Sequence, residues 1–298
     1  LQEGEDAVQK EAFLFDKVEE NKVKCRLCPH GCLINPDQFG ICGVRQNKEG
    51  KLYTYAYANP IAVNIDPIEK KPLYHFIPKT NSFSIGTAGC NFKCTFCQNW
   101  RISQITDTLK QYFDNDEWPP EKVAEQAAAE GCKSVAYTYT EPTIFFEYAY
   151  DTSVKVHEKD LKNIFVTNGF ITTEAVDMIK PYLDAANVDL KSFQDDFYKK
   201  VCKGRLQPVL DTIRHMYDIG IWIEITTLIV PEQNDSEKEI EEIAQFIADT
   251  GKEIPWHISR FFPQYKYTDS EPTPLETLRF AERTGSKKGL EHIHLGNV

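Results

Sequence analysis

No stretch of this 298-residue sequence is apolar for long enough to cross a bilayer, and no basic-then-apolar signal segment opens it. Positive charge is also short. The formal net charge is −11 and the pI about 5.2, which removes long-range attraction to nucleic acid or to an anionic membrane. A cytoplasmic protein with neither of those partners is expected. A disulfide framework is missing too: apart from Cys132 and Cys202, the nine cysteines fall into two tight clusters, the pattern of metal ligands in a reducing compartment. Those two solitary cysteines read as core or surface thiols, dispensable for either cluster. The sequence opens on Leu1 rather than methionine, so a trimmed N-terminus is expected.

What is present begins with SIGTAGCNFKCTFCQNW, where Cys90, Cys94 and Cys97 follow a short apolar run in the spacing C-x3-C-x2-C. Soft thiolates select zinc, copper(I) or iron-sulfur clusters. Three of them cannot close a four-ligand site, and a 4Fe-4S cluster so held keeps one iron open for a ligand, as catalytic metal sites do. Gly86 and Gly89 permit close backbone approach, and Phe96 sets an aromatic ring before the third cysteine. The alternatives are a zinc loop completed from elsewhere, or three buried cysteines acting as small hydrophobes.

Upstream, KCRLCPHGCLINPDQFGICGVR places Cys25, Cys28, Cys32 and Cys42 as C-x2-C-x3-C-x9-C. Four thiolates make a closed site. The stretch is too short and too poor in periodic apolar residues to fold alone, so a bound metal supplies its stability. One C-x2-C pair followed by a remote cysteine favours an auxiliary 4Fe-4S cluster over zinc. His30, between ligands, reads as a bystander. A short helix is expected around Lys10 to Glu20, a strand over Lys51 to Tyr57, and an extended, proline-bearing connector from there to Ser82. Lys70, Lys71, Lys93 and Arg101 are basic spots suited either to docking an acidic electron donor or simply to a solvated face.

With 41% hydrophobic and 27% charged residues the chain has material for one large or two modest units. From residue 82 onward strand-like runs (82–86, 134–139, 163–167, 186–190, 221–227, 256–260) alternate with helical patterns at 121–130, 143–158, 172–180, 206–219 and 236–249. The last of these opens on a capping box, Ser236 and Glu239. Six such units in series predict an α/β fold, a complete or partial TIM-like β/α barrel over residues 81–298 with a cysteine-rich metal-binding extension over 1–80. Functional side chains then belong at the carboxyl ends of the strands. Glu141 precedes Pro142 after the second strand, either as a ligand or as a helix N-terminal acid. Asn168 follows the third. Asp189 and Lys191 share a side of the fourth, either an ion pair or a receptor for a zwitterion. Glu224 and His257 lie on the fifth and sixth, His257 as a ligand or a satisfied core residue.

The cysteine loop, with YTEPTIFFEY, FVTNGF, NVDLKSF, EITTLIVPEQND and PWHISRFFP, resembles the radical S-adenosylmethionine (SAM) superfamily and, within it, the pyruvate formate-lyase activating enzymes. CRLCPHGC, GICGVR and NIDPIEKKPLYHF are similar to the radical SAM member of the AmmeMemoRadiSam system, whose members often continue past LGNV into a further cysteine-containing tail. The resemblance spans residues 11 to 298 and implies that the barrel is a partial, six-unit (β/α)6 TIM-like barrel. It implies a 4Fe-4S cluster on Cys90, Cys94 and Cys97 whose open iron takes the amino and carboxylate groups of SAM, contacts to that cofactor from Phe96, Glu141, Asn168, Asp189, Lys191 and His257, and reductive cleavage to methionine and a 5′-deoxyadenosyl radical that abstracts hydrogen from a substrate. Reduced flavodoxin or ferredoxin as electron donor and Memo-like and AMMECR-like partners are implied as well. The family motif GGEP stands here as Tyr139-Thr140-Glu141-Pro142, without its glycines. Three functions follow: radical chemistry on a small molecule or side chain, activation of a glycyl-radical enzyme, or a non-catalytic iron-sulfur or zinc module.

Overall fold

The computed structural model describes residues 9–104 and 116–298. Its N-terminal part carries two small antiparallel sheets. One is made of β2 (Phe15–Lys17), β3 (Val23–Cys25) and β4 (Leu33–Ile34), and the other of β1 (Lys10–Glu11), β6 (Lys51–Thr54) and β5 (Arg45–Lys48). The helix expected over Lys10 to Glu20 is therefore replaced by strands. Leu14, Glu20 and Asn21 adopt φ of +53°, +59° and +55°, which no right-handed helix accommodates. Between β5 and β6 the turn residues Glu49 and Gly50 both have positive φ, +51° and +81°, the combination of a two-residue type I′ hairpin.

The main sheet has eight strands in the order β14-β13-β12-β11-β10-β9-β8-β7. The six strands read from the sequence are β8 (Asn81–Gly86), β9 (Ser134–Tyr137), β10 (Lys162–Thr167), β11 (Ala185–Asp189), β12 (Trp222–Ile229) and β13 (Trp256–Arg260). Each pairs in parallel with the next. Two more strands extend it: β14 (Ile293–Gly296), parallel to β13, and β7 (Ala62–Pro67), antiparallel to β8. The proline-bearing connector thus contributes a strand to the large sheet. Helices α1 (Trp100–Ser103), α2 (Pro120–Ala129), α3 (Phe146–His157), α4 (Thr173–Ile179), α5 (Leu206–Asp218), α6 (Glu237–Thr250) and α7 (Leu275–Lys288) fall between strands, the first and last unread from sequence. Parallel strands joined by helical crossovers, with β14 and β7 left unpaired to each other, make a partial barrel.

Local chemistry sets the boundaries. The Thr172 hydroxyl accepts from Ala175 N at the start of α4, and Ser236 accepts from Glu239 N at the start of α6. The return half of the expected capping box is diverted: the Glu239 carboxylate accepts from the Ser192 hydroxyl and from Phe193 N, tying α6 to the turn after β11. Residues 68–80, linking β7 to β8, cross the amino-terminal ends of the strands as a floor. Ile68 and Leu73 pack there on Ala136, Ile164 and Ala185. The Glu224 carboxylate, on β12, accepts from the backbone amides of Tyr74 (2.9 Å), His75 (2.9 Å) and Phe76 (3.3 Å). Among the described residues no helix is long and apolar enough to cross a membrane.

Candidate active site

Above that floor, at the opposite end of the strands, lies a cavity of about 370 Å³. Its wall takes Thr138 from just beyond β9, Asn168 from just beyond β10, Asp189 from the end of β11, Leu228 from β12, Ser259 from β13 and Asn297 from just beyond β14. Cys90, Cys94 and Cys97 line the same cavity together with Phe96 and Lys191. The carboxyl ends of successive strands therefore converge on the three thiols, the position at which this class of fold builds its sites.

The cysteine loop is braced from several sides. Phe92 N donates to Cys90 Sγ at 3.3 Å, and Cys97 Sγ lies 3.1 Å from the Ser103 hydroxyl on α1. Phe92 fills the space left by Gly204, where a Cβ would come within 2.3 Å of its ring. Asn91 is fully buried: its Nδ2 donates to Phe170 O and its Oδ1 accepts from Asn168 Nδ2, each at 2.8 Å. Cys202 does not stand alone as the sequence suggested. Its thiol sits against that of Cys94, and this contact, with burial, pushes the Cys94 thiol pKa up.

Asp189 and Lys191 face each other across 2.7 Å in the cavity wall. Burial opposes the Lys191 ammonium, but Asp189 and the thiols of Cys94 and Cys202 outweigh it and hold its pKa well above the ordinary lysine value. Glu141 is placed differently from the reading that set it toward a ligand. Fully buried and outside the cavity wall, it accepts from Thr143 N and Oγ1, from Thr167 Oγ1 and from Asn168 N at 2.6–3.0 Å, capping the turn it precedes and knotting it to β10. Burial raises its pKa against those bonds. Asn168 itself lines the cavity, its Nδ2 3.8 Å from Cys90 Sγ.

Two further residues are held by carboxylates. His257 is the second residue of β13, so it lies toward the amino end, where its Nε2 is 2.7 Å from Glu224 Oε2, and it is not part of the cavity wall. Lys71, expected on a docking spot or a solvated face, is instead 3% exposed, paired with Asp66 at 2.7 Å and lies over the Tyr139 ring. Tyr139 was missed. It lines the cavity at φ +66°, donates to Asp66 at 2.7 Å, and fits because Gly86 opposite has no Cβ; one there would come within 2.6 Å of Thr138 O and 3.1 Å of the Tyr139 side chain.

Cys25, Cys28, Cys32 and Cys42 surround a second, far smaller void of about 20 Å³, closed by Thr143 and Ile144 from the barrel. Arg45, buried beside it, donates to Cys25 Sγ at 3.2 Å and to the buried Glu147 carboxylate of α3. A guanidinium against a thiol set suits thiolate ligands, since it offsets their charge. Among the described residues no three Cys, His, Asp or Glu side chains are gathered tightly enough to chelate a single ion.

The Radical SAM superfamily profile matches residues 84–247. An uncharacterized protein of Methanocaldococcus jannaschii is 44% identical over 97% of this chain and 85% of its own length. Another protein of that archaeon, provisionally named a glycyl-radical enzyme activating enzyme, is 22% identical over 63% of this chain and 71% of its own. Streptococcus suis SuiB, solved with S-adenosylmethionine bound, shares the fold at a TM-score of 0.55 and 17% identity, over 77% of this chain and 52% of that one. With three thiols of the C-x3-C-x2-C loop at the carboxyl ends of a partial β/α barrel and the profile covering more than half of the chain, this protein belongs to the radical SAM superfamily, whose general reaction is radical cleavage of S-adenosylmethionine at a 4Fe-4S cluster.

Proposed function

We propose that the chain holds a 4Fe-4S cluster on Cys90, Cys94 and Cys97, binds S-adenosylmethionine in the adjoining cavity and uses the resulting radical to take hydrogen from a further substrate. The observation that carries this is the convergence of the three thiols, Asn168 and the Asp189–Lys191 pair on one 370 Å³ cavity. The bound cluster and SAM supply the one-electron chemistry, giving methionine and a 5′-deoxyadenosyl radical, while the protein orients and excludes. Asp189 and Lys191, already charged and facing each other, are set to receive the ammonium and carboxylate of a methionyl group by exchanging partners. Phe92 N and the Ser103 hydroxyl hold sulfur atoms in place, and Phe96, packed on Phe197 at 5.9 Å, closes the loop against the barrel. Glu141 acts one step removed, by fixing Asn168 through its backbone amide. His257 belongs to the floor rather than to this set.

The second cysteine set, Cys25, Cys28, Cys32 and Cys42, takes its own metal in this reading, an auxiliary 4Fe-4S cluster or zinc. Reduced flavodoxin or ferredoxin is the proposed electron donor, and Memo-like and AMMECR-like proteins are proposed partners on the resemblance of the N-terminal motifs. A second reading, activation of a glycyl-radical enzyme, draws on the archaeal relative of that provisional name. Anaerobic reconstitution, dithionite reduction and assay for 5′-deoxyadenosine test the main reading. Product should form, and Cys94→Ala should abolish it while metal at the N-terminal set is kept. An intact, reduced cluster that yields no product would refute the enzyme.

A further inference from the structure

The His30 side chain reaches from the four-cysteine module to the peptide beside Cys90. It sits between Cys28 and Cys32, and its Nε2 lies 2.8 Å from the backbone carbonyl of Asn91. A carbonyl only accepts, so Nε2 carries the proton and donates. The ring also packs edge-on against Phe170 at 4.9 Å, and Phe170 in turn packs on Phe92 at 5.0 Å, so the module, the turn after β10 and the cysteine loop share one aromatic run. The module is clamped to the same turn at its backbone. Thr172 N donates to Leu27 O and the Thr172 hydroxyl to Arg26 O, while Arg205, just ahead of α5, donates to Pro29 O. The void inside the four thiols is closed by Thr143, whose amide and hydroxyl bind the Glu141 carboxylate that also holds Asn168.

We propose that His30 is a positioning residue through which the metal-loaded module holds the Cys90 loop in its cluster-binding geometry. This rests on the reading that both cysteine sets bind metal. A metal on Cys28 and Cys32 immobilises the residues flanking His30, and the imidazole then fixes the Asn91 carbonyl, one peptide from Cys90. Without that hydrogen bond the carbonyl is left buried and unpaired, and the loop must shift to resolvate it.

The test compares wild type, His30→Ala and His30→Gln after anaerobic reconstitution, each also in a Cys94→Ala background that leaves only the module loaded. Iron, sulfide and zinc per chain in that background should be equal for all three. Thermal melts should show that the variants fold. In the chains with Cys94 intact, His30→Ala should lower the occupancy of the Cys90 cluster several-fold and alter the electron paramagnetic resonance line shape of the reduced cluster and its response to added SAM. His30→Gln, whose amide can still donate, should restore at least half of the occupancy. Unchanged occupancy and line shape in His30→Ala, with the module still loaded, would overturn the coupling while leaving the proposed function standing. A Cys94→Ala chain that carries no metal at all would overturn the two-site reading, and the coupling with it.

Discussion

Tyr139 stands where sequences with the GGEP motif have glycine, and the price of that side chain is met by a glycine elsewhere. Its ring is accommodated because Gly86 lacks a Cβ, and its hydroxyl is anchored on Asp66, which also holds Lys71. Gly86→Ala should therefore overpack this wall and lower stability by about 1–3 kcal/mol, measured by urea denaturation. Two strands along, at the end of β11, the Asp189 carboxylate holds the Lys191 ammonium beside Cys94. Asp189→Asn removes one charge of the pair. It should raise KM for SAM about tenfold or more, equivalent to losing a charged hydrogen bond of roughly 1.5–3 kcal/mol, in a steady-state 5′-deoxyadenosine assay. A KM left unchanged would take this pair out of the binding site.

The floor segment 68–80 has no regular structure beyond one 3-10 turn, and one carboxylate takes three of its backbone amides. Glu224 accepts its three amides as well as His257 Nε2 and Trp222 Nε1. Burial pushes the Glu224 pKa up, but His257 and the amides of Tyr74 and His75 outweigh it and bring it below the ordinary carboxylate value. Beside it His75 Nε2 and His294 Nε2 lie 2.9 Å apart, so one donates and the other accepts, and they cannot both carry a proton there. Burial, with His257 and His75 nearby, lowers the His294 pKa from 6.5 to about 4. The unfolded chain takes up that proton first. Stability is therefore intact above pH 6.5 and falls as the pH drops toward about 4. Circular dichroism melts should show the melting temperature declining across this window, and His294→Asn should flatten the decline. Equal slopes for the two proteins would place the acid sensitivity elsewhere.

At the scale of the whole molecule, the N-terminal sheets and the barrel are joined by a buried ion pair. Arg45 and Glu147 are both buried, and Glu147 also accepts from Phe13 N at 2.6 Å. Removing one member leaves the other charged and dry. Glu147→Ala should cost about 3–5 kcal/mol in denaturant unfolding, whereas replacing both residues by apolar side chains of similar volume should cost less. Comparable losses would mean that the interactions of the pair itself, and not the stranding of one charge, account for the cost.

Both cysteine sets, the alternation of strands and helices, and the caps at Thr172 and Ser236 were determined by the sequence, because ligand spacing, periodicity and capping act over a few residues. The barrel and the placement of Asn168, Asp189 and Lys191 at strand ends followed from that alternation. What tertiary structure alone decided is which side chain of each strand reaches the cavity. His257 falls toward the amino end of β13, where it meets Glu224, and Ser259, two residues on, takes the cavity wall, a matter of register that no local signal records. Glu141 turned inward to knot two strand ends, Lys71 was buried by Asp66, and Cys202 was brought to Cys94, each through a partner distant in the chain. His30 is the sharpest case: the sequence shows a histidine between ligands, and only the packing of the module on Phe170 carries it to the carbonyl beside Cys90, since a hydrogen bond spanning 61 residues is made by the fold.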